Sequence, residues 1–124
     1  MKRDSDVLKA RTKDFALRVI RLHRSLPRTD EARILGRQLL RSSTSIGANY
    51  RAACRGRSRA EFIAKLGIVL EEADETVFWL ELFEEGQIFP AEKLRDLVRE
   101  ANELVSIFVS SVRTARGLPL QSDL

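Results

Sequence analysis

The stretch TDEARILGRQLLRSSTSIGANYRAACRG, residues 29–56, decides the fold. Thr29 suits an N-cap, because its hydroxyl can accept from an unpaired N–H of a first helical turn. Beyond it Ala32, Leu35, Leu39, Ser42, Ile46, Tyr50 and Ala53 recur every three or four residues, the buried stripe of a helix over 30–55. The middle of this segment is small: Ser42, Ser43, Ser45, Gly47 and Ala48. Small residues admit a close neighbouring helix. Gly47 inside a helix costs about 1 kcal/mol relative to alanine, so a packing reason for it is expected. Gly56 supplies the stop.

The same period appears on both sides. Upstream, Leu8, Phe15, Val19, Leu22 and Leu26 share a face, predicting a helix over 6–26 that Pro27 ends. Downstream, Ser58 with Glu61 reads as a capping box opening a helix over 59–85. Its core face is Phe62, Leu66, Val69, Leu70, Ala73, Val77, Leu80 and Phe83, and Gly86 closes it. A fourth helix, over 91–116, starts at Pro90 or Ala91. It carries Leu94, Leu97, Val98, Ala101, Leu104, Val105, Phe108, Val109 and Val112 inward. Gly117 and Pro119 end it, leaving 117–124 as a loose tail. Short connections between long helices force antiparallel neighbours. The expected fold is an all-α, antiparallel up-down-up-down four-helix bundle, one domain over 1–124.

Composition narrows the setting. Of 124 residues 44% are apolar, enough for a core, and glycine and proline stay between the periodic segments. Cys54 is the sole cysteine, so no intramolecular disulfide can form. The charged start, Met1 to Asp6, leads into no apolar run, and about eighteen uncharged apolar residues never occur in sequence. A cytoplasmic protein without membrane contact is expected.

Charge is unevenly divided. Residues 1–57 hold 15 Lys/Arg against 5 Asp/Glu; residues 58–124 hold 7 against 13. The third helix is the acidic element, with Glu71, Glu72, Asp74, Glu75, Glu81, Glu84 and Glu85. Arg33, Arg37 and Arg41 form one stripe of the second helix, and Arg51 and Arg55 follow at helical spacing. Arg11, Arg18 and Arg21 share a face of the first helix. Arginine's planar fork suits bidentate contact with phosphate or carboxylate. Two readings stay open. The arginines either pair with the acidic helix, within or between subunits, or meet nucleic-acid phosphates. Aromatics for base stacking are few, Tyr50 and Trp79 being the main ones.

No catalytic constellation emerges. His23 is the only histidine and reads as a helix-end residue. A di-iron bundle site needs Glu-x-x-His pairs; Glu71, Asp74 and Glu75 have no such histidine, and these acids are expected to salt-bridge to an arginine of a neighbouring helix or chain. Neither a phosphate loop nor a dinucleotide fingerprint occurs. Catalytic residue, metal, cofactor and small-molecule substrate are all expected to be absent.

The run Arg41-Ser42-Ser43-Thr44-Ser45-Ile46-Gly47-Ala48-Asn49-Tyr50-Arg51-Ala52-Ala53 carries a resemblance. So do Ser58-Arg59-Ala60-Glu61-Phe62-Ile63-Ala64-Lys65-Leu66-Gly67-Ile68, Glu72-Ala73-Asp74-Glu75-Thr76 and Trp79-Leu80-Glu81-Leu82. Over about 12–116 the chain resembles the four-helix-bundle proteins encoded within 23S ribosomal RNA intervening sequences. The resemblance implies a bacterial cytoplasmic protein assembled as a ring-like homopentamer. It also implies a distant relation to the accessory variability protein of diversity-generating retroelements, a basic pentameric barrel that binds nucleic acid and a reverse transcriptase. No catalytic residues come with it.

The leading expectation is a non-enzymatic oligomer that binds nucleic acid or a nucleoprotein through Arg18, Arg21, Arg37, Arg41, Arg51 and Arg55. Tyr50, Trp79, Glu72 and Glu75 are expected at subunit contacts. The alternative is a structural, protein-interaction scaffold whose arginines form intersubunit ion pairs.

Overall fold

A computed structural model describes residues 3–117. Four helices occupy it: α1 Asp4–Arg24, α2 Asp30–Cys54, α3 Arg59–Glu85 and α4 Ala91–Ala115. The last three match the expected spans to within a residue. α1 is shifted two residues towards the N-terminus at both ends. Asp4 and Asp6 complement the positive end of its dipole and extend the start. At the other end Pro27 forces Leu26 out of helical geometry, so Ser25 is already the cap. Thr29 and Ser58 cap as expected, accepting from Ala32 N–H at 3.2 Å and Glu61 N–H at 3.1 Å. Pro90 is the cap of α4, and Ala91 is its first helical residue. Gly117 follows α4 with a left-handed φ of 71°. The rest of the expected tail, 118–124 with Pro119, lies outside the described residues.

Side-chain pairings fix the topology. In α2 a Cβ on Gly36 would meet Leu26 and one on Gly47 would meet Thr12, so α1 and α2 run in opposite directions. Arg41 reaches Glu72 and Glu75, while Gly56 lies beside Phe62, which makes α3 antiparallel to α2. Arg59 at the start of α3 donates to the Ala115 carbonyl at the end of α4. Arg11 meets Glu100 and closes α4 onto α1. The α1 and α3 backbones do not approach each other among the described residues and occupy opposite corners, as do those of α2 and α4, whose Tyr50 and Phe108 rings meet across the centre with centroids 5.4 Å apart.

The core is assembled from the expected stripes, with Phe15, Val19, Leu39, Ile46, Leu66, Leu80, Phe83, Leu94, Leu104 and Phe108 essentially inaccessible. One assignment needs correction. Val109 was expected to face inward but is 38% exposed. One residue beyond Phe108, it points about 100° away from the stripe.

Of the small middle of α2, Ser42, Ser43 and Gly47 are buried between two neighbours, Ser45 is half-buried and Ala48 is exposed. A Cβ on Gly47 would lie 3.2 Å from Thr12 Oγ1 and 3.5 Å from Thr12 Cβ, so α1 sits almost on the α2 backbone. On the other flank the Thr76 hydroxyl donates to Ser42 Oγ at 2.8 Å, and Ser42 donates to the Leu39 carbonyl at 3.3 Å. Both hydroxyls are buried and satisfied, which removes the penalty of placing them in the core.

Two outcomes test this packing. Gly47→Leu should destabilise the bundle by about 1–3 kcal/mol through overpacking against Thr12, read as a lowered thermal midpoint with helicity retained. Tyr50 is the only tyrosine, and burial first, then the neighbouring Cys54, pushes its hydroxyl pKa up. Folding therefore favours the neutral phenol. This stability is present below the ordinary ionisation near pH ~10 and is lost as pH rises through the raised value. Tyrosinate absorbance should appear only above the ordinary range, or together with loss of helicity.

Candidate nucleic-acid interface

On a helix of 3.6 residues per turn, Arg37, Arg41, Arg51 and Arg55 fall within about 40° of one line along the outer side of α2. All four are exposed, and Thr44 and Ala48 fill the line between Arg41 and Arg51. The stripe is about 27 Å long at 1.5 Å per residue. Arg41 is engaged. It reaches across to α3, 3.2 Å from a Glu72 carboxylate oxygen, and also pairs with Glu75. Arg37, Arg51 and Arg55 make no ion pair among the described residues.

Burial pushes the Glu72 carboxyl pKa up, and neighbouring Glu75 adds to this; Arg41 opposes them without prevailing. The geometry alone reads as a stabilising ion pair. The pKa direction shows that the desolvated carboxylate cancels part of that gain, and with Glu72 at 16% side-chain exposure the desolvation is real.

Arg11 is also taken up inside the chain. It forms a two-pronged contact with Glu100 at 2.7 and 2.8 Å and touches Glu103 at 3.2 Å. The Glu100 hydrogen bond, against the cost of burial, holds this guanidinium protonated beyond the ordinary arginine range. Arg33 pairs with Asp30 one turn back.

Arg18 and Arg21 belong to a different surface. They line a groove of about 410 Å³ between α1 and α4, together with Ser25, Lys93 and Asp96. The six expected phosphate contacts thus separate into an α2 stripe and an α1/α4 groove.

The expected subunit-contact residues also separate. Tyr50 is 6% exposed and packs within its own core. Glu72 and Glu75 face Arg41 of the same chain. Trp79 is half-buried, and its indole N–H is buried without a hydrogen-bond acceptor among the described residues. Phe78 stands edge-on against it, centroids 5.0 Å apart. Phe78, Leu17 and Ile34 are about half exposed, and the periodic reading did not single them out. Their signal was present in α1, α2 and α3, as large apolar residues outside the stripe with charges at three or four residues' distance.

A groove of about 760 Å³ lies between the start of α3 and the end of α4, lined in part by Tyr50, Phe62, Leu66, Ile107 and Ser111. Its walls contain hydroxyls and Arg59 but no carboxylate, imidazole or thiol, so it offers no acid–base pair. Among the described residues no three His, Cys, Asp or Glu side chains gather as metal ligands, and no helix is long and apolar enough to cross a membrane.

Comparison with known proteins places this bundle. The profile of the 23S rRNA-intervening sequence protein family matches residues 3–110. A crystal structure from Bacteroides thetaiotaomicron, described as a protein with unknown function from the S23 ribosomal protein family, is 36% identical. It superposes with a TM-score of 0.79, covering 85% of this chain and 97% of that one. No curated protein matches.

The Arg41 cluster gives a paired test. Folding raises the Glu72 pKa, so the charged carboxylate weighs against the fold above that value and protonation relieves it as pH falls. At neutral pH Glu72→Gln should therefore be close to neutral. Arg41→Ala should cost about 1 kcal/mol, a modest figure because Arg41 is half exposed. Thermal melts of both variants between acid and neutral pH check this, and the Arg41→Ala cost should shrink in acid.

Proposed function

The chain belongs to the 23S rRNA-intervening sequence protein family, and from that membership and its arginine stripe we propose a non-enzymatic, oligomeric protein that binds nucleic acid by its phosphates. The observation that carries this reading is the α2 line of Arg37, Arg51 and Arg55, exposed and without ion-pair partners among the described residues. Guanidinium groups along about 27 Å match a polyanion better than a single small ligand. Arg18, Arg21 and Lys93 add a second basic area in the α1/α4 groove. Arg41 contributes through its position in the line, with its charge shared by Glu72 and Glu75.

The cell compartment is the cytoplasm, where such a nucleic acid or nucleoprotein is available. Assembly is a homo-oligomer, pentameric on the family resemblance. Glu72, Glu75 and Trp79 stand on the α2/α3 edge offered to it, while Tyr50 lies in the core against Phe108. The exposed apolar side chains Leu17, Ile34 and Phe78 favour a second reading, a protein-interaction scaffold in which arginines meet acids of neighbouring subunits.

Binding to structured RNA and to duplex DNA over a salt series decides between them. The nucleic-acid reading expects affinity at low salt that falls log-linearly as salt rises. The triple variant Arg37→Ala, Arg51→Ala, Arg55→Ala should flatten the slope by about 3, one unit per lost phosphate contact. Absence of binding at low salt, or an unchanged slope in the triple variant, overturns it.

A further inference from the structure

We infer that the Phe78 face of α3 docks on the Leu17 face of α1 of a second copy of this chain, in a heterologous contact. This rests on the oligomeric part of the proposed function and names the surfaces that make it.

Phe78 is 50% exposed and held edge-on by Trp79. Glu71, Asp74, Glu81 and Glu85 lie seven and four residues before it and three and seven after, so they share its face. All four are exposed, and none has an ion-pair partner among the described residues. The result is a large aromatic anchor inside an acidic rim. Its complement is an apolar anchor inside a basic rim. Leu17 on α1 is 45% exposed, with Lys13, Arg21 and Arg24 four before, four after and seven after it. These cations are also exposed and without ion pairs among the described residues; Asp14 is the single acid nearby. Ile34 of α2 is another exposed aliphatic, but Asp30 and Glu31 before it and Arg37 after it share its face, so its rim carries mixed charge; the Val7 rim is likewise mixed, with Arg3 and Arg11 against Asp4.

The α1 and α3 backbones stand at opposite corners and both Leu17 and Phe78 are exposed, so no copy can cover its own pair of faces. Two identical Phe78 faces would set eight carboxylates against each other, which excludes a symmetric face-to-face dimer through α3. The contact therefore runs from one copy to the next and forms a ring if the rotation closes. It takes Arg21 from the second basic area into the subunit contact and leaves Arg37, Arg51 and Arg55 to phosphates.

The experiment uses the full chain and two variants, Phe78→Lys and Leu17→Asp, each carrying one disabled face and one intact face. Light scattering after size-exclusion chromatography should give an oligomeric wild type and two monomers at the chain mass of 14.1 kDa. Mixing the two variants should restore a single native contact and yield a 1:1 species at twice that mass. Circular dichroism confirms folding, and Phe78→Ser with Leu17→Ser, which remove the anchors without reversing charge, serve if either first variant loses helicity. A monomeric wild type overturns the oligomeric reading and this contact together. An oligomeric wild type whose variants remain oligomeric, or two monomers that fail to pair on mixing, overturns this contact and leaves the oligomeric reading standing.

Discussion

The close approach of α1 to α2 at Gly36 and Gly47 is the constraint on which the rest of the bundle depends. A Cβ at Gly36 would stand 2.8 Å from Leu26 Cδ1, inside van der Waals contact, and one at Gly47 would press on Thr12. Two glycines eleven residues apart, both facing α1, fix height and rotation of one helix on the other. The opposite flank of α2 carries the Ser42–Thr76 hydrogen bond, which fixes α3 in the same way. A slip in register would lose this interhelical bond, about 1 kcal/mol net, while each hydroxyl keeps an acceptor in its own helix, Ser42 the Leu39 carbonyl and Thr76 the Glu72 carbonyl.

Register then decides the electrostatics. With α3 placed by Thr76, Glu72 and Glu75 stand opposite Arg41 and take it up. With α4 placed against α1, Glu100 and Glu103 take up Arg11. Both arginines cross between helices to reach these carboxylates. The carboxylates best placed to neutralise the basic half are thereby spent, and the other α3 acids point away from it. The charge separation along the chain survives as a separation in space, and the α2 line stays cationic for that reason.

Much of the fold was legible because apolar period is a direct record of burial. Thr29, Ser58 and Gly86 mark their helix ends in the structure as they do in the sequence, since capping is local chemistry. The errors arise where a second effect competes. Two aspartates extend α1 at its start, and proline shortens it before its own position. Val109 is apolar but rotated off the stripe, and Thr76 is polar yet buried because Ser42 satisfies it. The candidate site was less legible. Spacing within one helix places Arg37, Arg51 and Arg55 on a common line, but spacing cannot relate two helices. It therefore could not separate Arg18 and Arg21 from that line, nor show that Arg41 meets Glu72 and Glu75 within its own chain. Half-exposed Phe78 was hidden by its apolar neighbours Val77 and Trp79.

The buried indole N–H of Trp79 lacks an acceptor among the described residues, which ordinarily costs about 1–3 kcal/mol. A phenylalanine there would avoid that cost and fill most of the same space. The larger indole ring packs against Phe78, which stands edge-on to it at the surface. A half-exposed aromatic has few rotatable bonds to freeze on being covered, which is why such residues anchor interfaces. Core packing thus supports a surface feature at some expense to itself. The same pattern holds at Arg41, where the fold tolerates a desolvated Glu72 to keep a charged bridge at the edge of α2 and α3. Both sites lie on the α2/α3 edge: an indole N–H without an acceptor among the described residues and a desolvated carboxylate, two turns apart on α3.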